Sequence, residues 1–118
     1  MVYFSFFYWD IRKSTFLEEY CKKIEPQKTT IETIQTDLKD FVIKESIVIE
    51  RYDNGRLEKN YIPQEFAKSM KEDTLKEVNP NIRRFSVNAT DKPFDFKTCV
   101  GIYEIASGKI QDVYFVED

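Results

Sequence analysis

With no histidine among its 118 residues, the chain leaves acid–base chemistry to Asp, Glu and Tyr. Three carboxylates stand at strand parity with apolar neighbours: Glu50 between Val48 and Tyr52, Asp112 between Ile110 and Tyr114, and Glu104 after Val100 and Ile102. A carboxyl group drawn into an apolar pocket loses solvation, and its pKa climbs toward the range a general base needs. Tyr61, Tyr103 or Tyr114 would then be the proton donor. The plain alternative is that each carboxylate faces solvent, the usual place for a charged side chain.

The same inventory excludes several chemistries. Serine–histidine and cysteine–histidine catalysis need an imidazole that this chain does not have. No cysteine or carboxylate cluster has metal-ligand spacing. Three scattered Gly residues cannot build a phosphate loop. No cofactor and no metal are therefore expected, and a non-enzyme is favoured over an enzyme.

Other residue types suit recognition rather than catalysis. Aromatic residues make up 15% of the chain, and six of the eight side chains in "VYFSFFYW", residues 2–9, are aromatic. Tyr3, Phe7 and Trp9 share one strand parity and are expected to line a pocket or an interface, together with Tyr52, Tyr103 and Tyr114. Tyr, Phe and Trp are enriched at the centres of protein interfaces.

Basic pairs occur at Arg12-Lys13, Lys22-Lys23 and Arg83-Arg84, but isolated pairs are usually solvated surface. The net charge of −3, from 18 basic and 21 acidic residues, argues against nucleic acid, whose binders carry a basic surplus. The glycine–aromatic motif of RNA-stacking sheets is missing as well.

Positioning these residues takes one domain, residues 1–118, of a length that sustains a core without metals or disulfides. An apolar share of 42% and a charged share of 33% describe a globular chain. Cys21 and Cys99 read as two reduced, buried thiols, which implies a cytoplasmic location. This run of eight residues is too short to span a bilayer, which takes about 20. Nothing basic precedes that run, and Asp10, Arg12 and Lys13 follow it, so neither a membrane anchor nor a targeting segment is expected.

Residues 2–9 read as a strand that is apolar on both faces. A helix follows from Ser14, with Leu17, Tyr20, Cys21 and Ile24 on one side and Pro26 as its stop. A second helix is expected over 29–43, with Thr29 and Glu32 at capping-box spacing and Ile31, Ile34, Leu38, Phe41 and Val42 as its apolar stripe. Two strands then flank Asp53-Asn54-Gly55, a hairpin turn whose Asn-Gly pair tolerates positive φ. Pro63 opens a third helix, to about 77, with Phe66, Ala67, Met70 and Val78 inward. Three strands close the chain, the last two joined through Ala106-Ser107-Gly108. The expected fold is α+β, a mostly antiparallel curved sheet on three helices in the order β-α-α-β-β-α-β-β-β.

The stretches "DLKDFVIKESIVIERYDNGRLEKNYIPQEFAKSM" and "GIYEIASGKIQDVYFVED" resemble the nuclear transport factor two-like superfamily, the cystatin-like cone. The resemblance spans residues 14–118. It implies helices closing one side of a curved sheet around a conical cavity. Members include isomerases, cyclases and dehydratases, in which an Asp or Glu works beside a Tyr in an apolar pocket. Others are non-catalytic binding and assembly domains, so the fold alone does not select a function.

Composition and motifs together favour a small non-enzymatic binding or assembly protein that meets a protein partner or a second copy through its aromatic strands. Size, mild acidity and a Lys-, Ile- and Phe-rich coding bias suggest a phage or mobile-element product that blocks or sequesters a host factor. The alternatives are a cone-type enzyme using Glu50 or Asp112 with Tyr61 on a small apolar substrate, and a pocket that sequesters a small ligand.

Overall fold

The computed structural model describes the backbone over 2–89 and 97–117 and the side chains over 13–89 and 97–117. Among these residues it is an α+β fold with one five-stranded antiparallel sheet, ordered β2-β1-β3-β4-β5. The elements are α1 (Val2–Lys23), α2 (Ile31–Asp37), β1 (Val42–Asp53), β2 (Arg56–Pro63), a 3₁₀ helix (Gln64–Ser69), α3 (Glu72–Leu75), β3 (Val78–Asn88), β4 (Thr98–Glu104) and β5 (Ile110–Val116).

The first element is a helix, not a strand. Residues 2–9 are aromatic at both parities, so their pattern carries no period, and no Gly or Pro precedes Pro26. A helix nucleated over the amphipathic stretch after Ser14 meets no breaker and propagates back through the aromatic run. Lys22 and Lys23 sit in its last turn, where cations favour the helix dipole. Leu17 and Cys21, four residues apart, are buried on the inward face, with Ile24 just past the end.

The connection to α2 is tied to the sheet by its backbone. Gln27, at φ 72°, donates its N–H to the Ile110 carbonyl at 2.7 Å, and Ile31 donates to the Gly108 carbonyl at 2.7 Å. Thr30, not Thr29, caps α2, its side chain accepting from the Thr33 N–H. The helix stops at Asp37 rather than running to 43, and the chain is already in β1 at Val42. Phe41 and Ile43 still pack on the core, but from a loop and a strand.

The hairpin at Asn54-Gly55 forms as expected. Asp53 pairs with Arg56, and the two turn residues have φ 52° and 81°, the left-handed values of a type I′ turn. Pro63 ends β2 instead of opening a long helix. Its missing N–H would point to the free side of this edge strand, so no ladder bond is lost. A 3₁₀ helix and the four-residue α3 replace the expected third helix. Neither buries a side chain, and Phe66 is exposed.

One face of the sheet carries the core. Ile43 of β1, Phe85, Val87 and Ala89 at and just after β3, Cys99 and Tyr103 of β4 and Ile110 of β5 meet Leu17, Cys21, Ile31, Ile34 and Leu38. Gly101 is required there, because Phe85 is its cross-strand partner and the Phe85 ring lies over it. A Cβ built at 101 would come 2.5 Å from that ring and 2.9 Å from the Asp112 carbonyl.

Cys21 and Cys99 are joined in a disulfide, with Cα atoms 5.8 Å apart. The expectation of two reduced thiols is thereby corrected. Helical spacing turns Cys21 onto the same inward face as Leu17, directly above the strand that carries Cys99. The argument for a cytoplasmic location rested on free thiols and loses that footing. Among the described residues, no helix is long and apolar enough to cross a membrane.

Candidate functional site

Among the described residues, no core helix packs on the other face of the sheet. Cross-strand pairing places Val48 beside Tyr61, Glu50 beside Lys59 and Tyr52 beside Leu57. Arg84 lies opposite Ser46 and Ile102, and Val100 opposite Tyr114. Val48 and Val100 are buried on this face. Around them Tyr52 is 75% exposed, Tyr114 50% and Tyr61 41%, with Val42, Leu57 and Val116 exposed as well.

The Arg84 guanidinium sits over the Tyr61 ring at 4.8 Å, a cation–π contact that fixes both side chains on the open face. Its Nε is buried without a hydrogen-bond partner, as is that of Arg83. Two large groups held in place above a small apolar floor cost little entropy when a partner covers them.

The helix-covered face holds a polar cluster. Tyr103, 5% exposed, donates its hydroxyl to Glu45 Oε1 at 2.7 Å. Burial, then the bond to Glu45, pushes the phenol up to about 12, while Arg83 beside it works the other way. At neutral pH the hydroxyl therefore keeps its proton and acts as a donor. Between α1 and α2, Tyr20 donates to Asp37, and burial followed by that bond raises its pKa too.

Glu45 also borders a cleft of about 630 Å³ lined by residues 42–46 of β1, Gln35, Ser86 and the Pro63–Glu65 corner. A smaller hollow of about 170 Å³ lies between α1 and α2, with Tyr20, Ile24, Thr33 and Asp37 among its walls.

None of the expected acids lines either space. Glu50 is half-buried on the open face and accepts from Asn79 Nδ2 at 2.9 Å. Asp112 is exposed and accepts its neighbour's N–H, from Val113, at 2.9 Å. Glu104 is half-buried opposite Ile82. Tyr61 is engaged by Arg84 rather than by a carboxylate. The structure thus brings Tyr52, Tyr61 and Tyr114 onto one face and sends Tyr103 inward to Glu45. The side chains of Tyr3, Phe7 and Trp9 lie outside the described residues.

Sequence reasoning does not reach the Glu45–Tyr103 pair, because a helix expected to run to 43 hides the start of β1. The alternation of Ile43, Glu45, Ile47 and Ile49 was the signal available. Among the described residues no group of three or more His, Cys, Asp or Glu side chains could hold a metal. Comparison with family models, curated proteins and solved structures gave no match.

Proposed function

We propose that the protein is a non-enzymatic binding or assembly module that meets a protein partner, or a second copy of itself, through the helix-free face of its sheet. The observation that carries this reading is that Tyr52, Tyr61 and Tyr114 are exposed on the same sheet face, Tyr61 beside buried Val48 and Tyr114 beside buried Val100. An apolar patch of this kind on a sheet face is the usual mark of an interaction surface. The opening helix, and the two helices on one face of a curved sheet, support a cone-like fold of the nuclear transport factor two-like kind. A role in blocking or sequestering a host factor fits the small size and mild acidity.

The test is the double variant Tyr61→Ala/Tyr114→Ala. Both side chains are about half exposed, so circular dichroism should be unchanged and the melting temperature should fall only by the loss of the Arg84–Tyr61 contact, worth about 0.5–1 kcal/mol. Cross-linking mass spectrometry of the wild-type protein in lysate of its source should place the partner on Tyr52, Tyr61 and Tyr114, and sedimentation equilibrium should reveal a second copy if that is the partner. The double variant should weaken the captured complex by a factor on the order of 10–100, the cost of losing interface-centre aromatics. Cross-links confined to the helical side, or capture unaffected by the substitutions, would overturn the reading.

A second reading follows from Glu45. A carboxylate bonded to a protonated Tyr103 at the margin of a cleft is the acid–phenol pair that a cone-type enzyme would use. It would place the base at Glu45 rather than at Glu50 or Asp112. A pocket for sequestering a small ligand would use the same cleft without proton transfer.

A further inference from the structure

We propose that the unpaired edge of β1, residues 42–45, accepts an extended peptide as an added antiparallel strand. The pairing of β1 with β2 runs from Asp53↔Arg56 to Ser46↔Pro63 and stops there, whereas its pairing with β3 continues to Val42↔Asn88. Among the described residues, these four positions of β1 therefore have a strand partner on one side only. In a two-residue hairpin, the residues flanking the turn exchange both hydrogen bonds, and every second residue repeats this. Asp53, Arg51, Ile49 and Ile47 accordingly face β2. Continuing the alternation, Glu45 and Ile43 turn their N–H and C=O groups to the side that β2 has left. Glu50, of the opposite parity, confirms the phase, because its N–H donates to the Glu77 carbonyl on the β3 side at 2.9 Å.

The other edges do not offer the same reception. On β5, the Val113 N–H is taken by the Asp112 carboxylate, and Ile110 is bonded in both directions by Gln27 and Thr29. Among the described residues the outer edge of β2 is also unpaired, but β2 is exposed at every position except Ile62 and carries Arg56, Glu58 and Lys59. Such charge is a common defence against strand addition. The β1 edge instead opens into the 630 Å³ cleft walled by Pro63, Gln64, Glu65 and Gln35. Pro63 turns the chain out of the sheet and leaves the lane of a next strand vacant.

This lane defines its occupant. An extended backbone running in the direction of β2 would meet Glu45 and then Ile43 with four main-chain hydrogen bonds, the mode by which sheet edges capture peptides. Lys44 is exposed and points to the helix-free face, so the residue opposite it should be acidic. Glu45 is already engaged by Tyr103 and asks for no charge. The preferred segment is a short extended run of β-branched residues with a central Asp or Glu. The edge stands apart from the Tyr52–Tyr61–Tyr114 surface and does not depend on it.

The probe is an acetylated and amidated peptide, Thr-Val-Asp-Val-Thr-Val, titrated into the ¹⁵N-labelled full chain. Two N-methylated forms accompany it, each methylated on one alternate set of amides. Saturable binding should slow exchange of the Ile43 and Glu45 amides by about tenfold or more and leave that of Lys44, already bonded to β3, unchanged. One N-methylated form should lose binding by about tenfold or more, and the other should retain it, because only alternate amides face the edge. Tyr61→Ala should not alter the titration.

No saturation by about 1 mM peptide, or equal loss with both methylated forms, would overturn the proposal. So would protection at Tyr61 and Tyr114 instead of Ile43 and Glu45, which would leave the open-face reading standing. Protection of Ile43 and Glu45 without peptide, accompanied by dimers in sedimentation, would assign the edge to a second copy and overturn it too.

Discussion

Opening the Cys21–Cys99 bridge should loosen this molecule more than any surface substitution. The cysteines are 78 residues apart in sequence, so the bridge closes a loop covering most of the chain. The chain-entropy relation gives about 4.5 kcal/mol at 25 °C for a loop of that length, and native bridges typically deliver ~2–4 kcal/mol. A domain of this size loses about 4 °C of melting temperature per kcal/mol. Reduction, or the double variant Cys21→Ala/Cys99→Ala, should therefore lower Tm by roughly 8–18 °C.

The loss should fall first on α1. Leu17, Cys21 and Ile24 are the buried residues through which this end of the chain meets the core, and the bridge is the covalent part of that contact. Differential scanning calorimetry with and without phosphine reductant measures the shift, and amide exchange should show α1 opening before the β1–β3–β4 strands. Intact-mass analysis after alkylation under denaturing conditions counts the thiols directly. Two alkylated cysteines in protein prepared without reductant would refute the bridge. A Tm that moves by less than about 2 °C on reduction would refute the reasoning from loop length.

Two further outcomes follow from single side chains. Gly101→Ala should destabilise by roughly 1–3 kcal/mol through overpacking against the Phe85 ring. Gly55→Ala, with open space around it but φ 81°, should lose only about 1 kcal/mol through backbone strain; urea unfolding of the pair separates steric from conformational cost, and the reverse order would contradict the packing at Gly101. The Tyr103 phenol, held near 12 when folded against an ordinary 10, gives an alkaline limit. Below pH 10 both states keep the proton and the stabilisation is intact. From pH 10 toward 12 the unfolded chain ionises first and stability falls, by at most ~1.4 kcal/mol per unit. Tyr20 adds to the same window, so Tyr103→Phe should flatten only part of the fall, and an unchanged alkaline profile would count against the bond to Glu45.

What could be foreseen from the chain was local. Asn54-Gly55 announces a two-residue turn by its own φ preference, and Phe85-Val87-Ala89 announce a strand by strict alternation; both stand where expected. Gly108 closes the last hairpin for the same reason, at φ 74°. The failures share a different cause. Residues 2–9 are apolar at every position but Ser5, so neither period could be read from them, and absence of a breaker decided in favour of the helix. At 38–43 one apolar run serves a helix end, a loop and a strand start, and the boundary is set by tertiary pairing with β3. Pro63 suits a helix start and an edge-strand end equally well; only the position of β2 at the rim selects between them.

That last ambiguity has functional weight. Had Pro63 begun a long helix packed inward through Phe66 and Met70, that helix would have covered either the open sheet face or the lane beside β1. Instead the segment is a short 3₁₀ helix and a four-residue turn of helix on the periphery, with Phe66 exposed. The two candidate docking features, the Tyr52–Tyr61–Tyr114 face and the Ile43–Glu45 edge, are open because this covering element is missing. Carboxylates selected by parity alone, Glu50 and Asp112, are correspondingly on the uncovered side. Among the described strand residues, the acid that meets a tyrosine is Glu45, and it stands on the face that the helices close. Covering, more than residue type, therefore decides which side chains are placed for recognition and which for chemistry.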